Sequence, residues 1–239
     1  MKSTMAIAFL LTVSLITGVA AAPQPTTLMN TMAGGGSIGK KILFPRLTKL
    51  PDAKIMTRIN AILTKKEVEE RQGAVDCVAN VKDSGQPASG ASYDVTVNVT
   101  YLSSRYLSLT DRVEYNCAGA HPDAAASMLT FDLVTGAEID LMKAFKSDFD
   151  FTKIYPTRYR MPKVKGDDAD CRGWSTGDAG GLGEMRPYLD AKIGIVISLE
   201  AAHVVAACAD DLNLSLADVQ KYLKDQALLA DLKATVKPK

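Results

Sequence analysis

Histidine and tryptophan are scarce in this chain: 239 residues include two histidines, His121 and His203, and one tryptophan, Trp174. Two imidazoles need a third ligand before they make a metal site, and no CxxC spacing offers zinc a sulfur pair instead. The acidic cluster Asp167, Asp168 and Asp170 lacks the central glycine and distal glutamate of a calcium loop. No GxSxG elbow presents a serine nucleophile. Neither a metal nor a cofactor is therefore expected. Excess charge is missing too, with 28 basic residues against 27 acidic ones and a net charge of +1. Nothing in that balance draws the chain to nucleic acid or anionic lipid. Past the N-terminus no apolar run approaches the roughly 18 residues of a membrane helix.

What is present begins with an address. Lys2, an apolar run from Met5 to about Val19, and the small residues Ala20, Ala21 and Ala22 before Pro23 make a secretory signal over 1–21. The same run is long enough to serve as an N-terminal anchor if it is not cut. Export to a periplasmic or extracellular setting changes the meaning of the four cysteines, Cys77, Cys117, Cys171 and Cys208. An even number in an oxidising compartment is expected to pair. The sequential pairing, Cys77 with Cys117 and Cys171 with Cys208, asks least of the chain.

Residues 22–45 are rich in Pro, Thr and Gly and read as a flexible leader. Within them Gly34, Gly39 and Lys40 match a phosphate-loop spacing, but Lys41 stands where Ser or Thr is needed. A single α+β domain is expected over 46–235. Its first helix runs from about Pro51 to Gln72, with Ile55, Ile59, Ile62 and Leu63 on one face and Gly73 as the terminator. Ala74 to Val81 reads as a strand. Tyr93, Val95, Val97, Val99 and Tyr101 alternate with polar residues, and Leu107, Leu109, Val113, Tyr115 and Cys117 share a face after a bend at Ser103 to Arg105. A third strand points Leu129, Phe131 and Leu133 inward. Together these predict an antiparallel meander packed against an N-terminal and a C-terminal helix and stapled by two disulfides. Further along, a short helix from Leu141, a long loop from Met161 to Gly183, and strands over Ile193–Leu199 and Val204–Cys208 are expected. Ser215 with Asp218 marks the capping box of the last helix.

Candidate chemistry is thin. His121, in the turn Asn116-Cys117-Ala118-Gly119-Ala120-His121-Pro122, has two readings. It is a base partnered by Asp123 or Asp132, as in a small envelope hydrolase, or it bonds backbone groups within its own turn. His203 reads as a strand-end structural histidine. Trp174 and Arg172 sit beside Cys171 in the glycine-rich loop and read either as a contact for a protein or glycan partner or as a plug under the loop.

The stretch Tyr106-Leu107-Ser108-Leu109, Tyr115 to Pro122, Leu129 to Gly136, Ile139-Asp140-Leu141 and Phe145 resembles an extracytoplasmic domain of unknown function. That domain occurs in the lysozyme-sensing anti-sigma-V factor and at the front of some peptidoglycan deacetylases. Its pattern is a strand, a GGAHP-like turn, a strand reading FDLxTG, and a short helix; here Ala118-Gly119 replaces the paired glycines. The resemblance spans about residues 74–223. It implies an α+β fold, life in the cell envelope, and binding of a lysozyme-like muramidase or peptidoglycan. It implies no established catalytic residue, so a binding module is expected in preference to an enzyme.

Overall fold

The computed structural model describes residues 27–28, 33–158, 184–200 and 211–236. A long helix, α1 (Ala53–Asp83), lies on one face of a four-stranded antiparallel sheet. The strands in spatial order are β2 (Ala33–Ser37), β4 (Ser92–Leu102), β5 (Tyr106–Asn116) and β6 (Asp123–Asp132). Two short strands, β1 (Thr27–Leu28) and β3 (Leu47–Lys49), pair separately. The other face of the main sheet meets a second layer. This holds β7 (Glu184–Asp190), β8 (Gly194–Glu200) and β9 (Leu212–Ser215), with α2 (Phe151–Arg158), α3 (Leu216–Tyr222) and α4 (Gln226–Thr235).

Burial on both faces explains β5. From Tyr106 to Asp111 every residue is buried, and alternate side chains enter different cores. Leu107, Leu109 and Val113 join Ile59 and Leu63 of α1. Tyr106 joins Leu189, Ile195 and Leu228 in the second layer. A polar seam ties the layers together: Ser108 Oγ meets Thr130 Oγ1 at 2.9 Å and accepts the Leu189 amide at 3.1 Å.

The expected meander is present, and the α+β class with antiparallel sheets and flanking helices holds. Several local expectations change. Helix α1 does not stop at Gly73; it continues through Ala74–Val81, which is helix and not strand. The buried set Ala74, Cys77 and Val81 has helical spacing, so the β-branched residues there line a helix face. Gly73 has a different use. A Cβ there would collide with the Tyr93 hydroxyl, which donates to Glu70 Oε2 at 2.7 Å. The terminating glycine is Gly85, at φ 78, its amide bonded to the Lys82 carbonyl. At the other end Asp52 caps α1 by accepting the Lys54 and Ile55 amides.

The leader expected to reach residue 45 is structured from Ala33 onward. Gly34–Gly36 pair with Val95–Val97 of β4, and Gly35 (φ 129) fits because a Cβ would strike the Val95 carbonyl. Ile42, Phe44 and Leu47 are core residues. Buried Glu67 holds this segment to α1 by accepting the Phe44 amide at 2.8 Å and Arg46 at 2.9 Å, with Arg71 on its other oxygen. No helix opens directly after Lys40, so the phosphate-loop spacing has no cradle.

The alternation in β4 holds only as far as Val99. A bulge between Val99 and Tyr101 then shifts the register, and Tyr101 enters the second core, not the face of Val95 and Val97. Its hydroxyl donates to Asp231 Oδ2 of α4 at 2.7 Å. The single C-terminal helix that was expected is two: the Ser215–Asp218 capping box starts α3, and Asp225 re-caps the chain for α4.

Candidate functional site

The turn joining β5 to β6 is built by the disulfide Cys77–Cys117, which spans 40 residues. Cys77 is buried on α1, and its sulfur lies 3.4 Å from the carbonyl oxygens of both Ser92 and Asn116. Both cysteines had been expected on neighbouring strands; instead a helix residue is bonded to the residue just after β5. The next residue, Ala118, has φ 69, a left-handed backbone that a Cβ disfavours by about 1–2 kcal/mol. A glycine in the resembling pattern would carry no such cost. From Gly119 through Ala125 the chain is exposed. The result is a solvent-facing turn anchored at its base by a covalent bond to the helix.

His121 projects from this turn. Its Nδ1 lies 3.2 Å from the Pro122 carbonyl oxygen, which can only accept, so the neutral ring carries its proton on Nδ1. Asp123 Oδ1 accepts the amide of Ala124 at 2.8 Å. Asp132 stands at the far end of β6, and a strand of that length covers about 30 Å. There Asp132 Oδ1 accepts the amides of Val134 and Thr135 at 2.7 and 3.0 Å, shaping the Thr135-Gly136 turn, while Oδ2 faces Arg105. The aspartate of the FDLxTG stretch builds a turn and does no proton transfer with His121.

A functional group that the pattern reading passed over is Asp111. It is 2% exposed, on the inward register shared by Leu109 and Val113, with Val97 and Ser127 as cross-strand neighbours. Ser127 Oγ donates to Oδ2 at 3.3 Å, and Oδ1 has no hydrogen-bond partner among the described residues. Burial, then the charge of Glu70, raises its pKa to about 7, against the smaller lowering effects of Ser127 and Lys66. The period of two places it inward, so the signal was in the sequence. An acid on an apolar register is the departure to look for.

Trp174, Arg172, His203, Cys171 and Cys208 lie outside the described residues, and with them the expected pairing of Cys171 with Cys208. Among the described residues no group of three or more His, Cys, Asp or Glu side chains is gathered to hold a metal. None of their helices is long and apolar enough to cross a membrane.

The fold and this turn define an α+β domain of antiparallel sheets and helices with an internal disulfide. A solved structure of a DUF3298 family member from Bacteroides fragilis is similar, with a TM-score of 0.58 and 15% identity over 87% of this chain and 98% of that one. At that identity the likeness concerns the fold, and it is to an uncharacterised domain. No family model matches the sequence, and no curated protein does.

Proposed function

We propose that the chain is a secreted or periplasmic binding module of the cell envelope whose partner is a lysozyme-like muramidase or peptidoglycan. The observation that carries the reading is the exposed Gly119–Ala125 turn mounted on the Cys77–Cys117 bond. Binding residues favour loops held by a rigid scaffold, because a preordered loop loses little entropy on contact. The signal-like N-terminus and the resemblance from Tyr115 to Phe145 point to the same compartment and the same partners. His121 is one contact in this reading, with Trp174 and Arg172 as the others.

Retention of a muramidase or of peptidoglycan on the immobilised, oxidised protein tests the idea. His121→Ala and Trp174→Ala are each expected to weaken retention at least tenfold while the thermal transition is kept. Failure of the unmutated protein to retain either partner would remove the proposal. Cell-wall hydrolysis that disappears in folded His121→Ala would replace it with the hydrolase reading.

A further inference from the structure

A groove of about 530 Å³ lies between the 37–42 segment and the second half of α1. None of its lining residues belongs to the His121 turn. Ile38 and Ile42 line one wall, Val75 and Val78 the other. Val75 is 61% exposed, so its methyl groups meet water although the helix could have carried a polar residue there. Lys40 and Lys82 stand at the rim, both exposed and neither in an ion pair among the described residues. Asp83 is also at the rim. Arg71 adds no free charge, since its guanidinium is bonded to Glu67 and to the Ile42 carbonyl.

The chemistry of this lining selects among ligands. It has no aromatic ring on which a base or sugar could stack. The helix wall keeps its amides in its own ladder, the Ile38 amide bonds to the Tyr93 carbonyl, and the Lys40 amide bonds to the Ser37 carbonyl. A peptide laid here would have its own amides desolvated against methyl groups without partners. An acyl chain brings no such groups, and the volume is that of a small-ligand site. The two rim lysines then meet the anionic end, which complements the cationic excess over Asp83.

We propose that the groove between Ile38–Ile42 and Val75–Val78 binds a free single-chain anionic amphiphile, a long-chain carboxylate whose head lies at Lys40 and Lys82. This stands independently of the envelope-partner reading. Calorimetric titration of the full oxidised chain with dodecanoate, kept below its micellar concentration, tests it. One-to-one saturable binding is expected, at least fivefold weaker for dodecanol and for dodecyltrimethylammonium. The exposed substitutions Val75→Asp and, together, Lys40→Glu with Lys82→Glu are each expected to weaken binding at least tenfold with an unchanged melting curve. No saturable binding of dodecanoate, or binding that both variants leave intact, overturns the proposal. So does cosedimentation with phosphatidylglycerol vesicles in the absence of dodecanoate binding, which would make the groove a membrane contact.

Discussion

A carboxylate walled in by valine and leucine must keep its proton or lose stability. Asp111 takes the first course, with a folded pKa of about 7 against 3.8 in the open. Between those values the unfolded chain releases the proton that the folded chain retains. Stability from this group is therefore full below about pH 4, declines as pH rises, and is gone above about pH 7. Linkage caps the decline at about 4 kcal/mol. In Asp111→Asn, urea midpoints at pH 5 and pH 8 should lie closer together than in the unmutated chain, with the variant the more stable at pH 8. Equal pH dependence in the two proteins would show that the carboxylate is not the source. At this scale His121 went the other way: the scarcity of histidine drew attention to it, yet its Nδ1 is engaged by the adjoining Pro122 carbonyl.

At the scale of elements, α1 carries most of what pattern reading misjudged. Gly73 resembled a stop because glycine commonly ends helices, but here it makes room for Tyr93, a residue 20 positions away. Local sequence cannot reveal a collision with a distant ring. The same holds for Glu67, which looks like one more surface acid on a helix rich in them. It is 8% exposed and gathers Arg46, Arg71 and the Phe44 amide, fastening the 42–47 segment to the helix. Glu67→Ala leaves the Phe44 amide without its acceptor and Arg46 without its carboxylate, holding only the Phe44 and Pro45 carbonyls, in a mostly buried setting. A loss of about 3 kcal/mol is expected from chemical denaturation. A change below about 1 kcal/mol would mean that water replaces the carboxylate and the segment is not held by it. The bulge at Thr100 is a further tertiary feature: its carbonyl accepts the Ala191 amide from the second layer, where Tyr101 then packs.

For the whole molecule the Cys77–Cys117 disulfide is a covalent constraint, closing a loop of 40 residues across helix and sheet. On chain-entropy grounds such a closure is worth about 4 kcal/mol, acting through the unfolded state. Replacing both cysteines, Cys77→Ala with Cys117→Ala, should lower stability by about that amount, read from denaturation under non-reducing conditions. A variant as stable as the parent would show that α1 is held by packing alone. Packing of α1 on the sheet bears on this, since its Ile59, Leu63 and Val81 are fully buried.

The hydrophobic period specified three strands and their order, because a side chain on a half-buried strand can face only two ways and β4, β5 and β6 are consecutive. Capping chemistry located the Ser215–Asp218 box for the same reason: its bonds close within a few residues. Tertiary contact settled the rest. The glycine strand β2, the reach of α1 past Gly73 and the switch of Tyr101 between cores each depend on a partner far along the chain. The free energy of such a residue is set by what packs against it, and that is written nowhere in its neighbours.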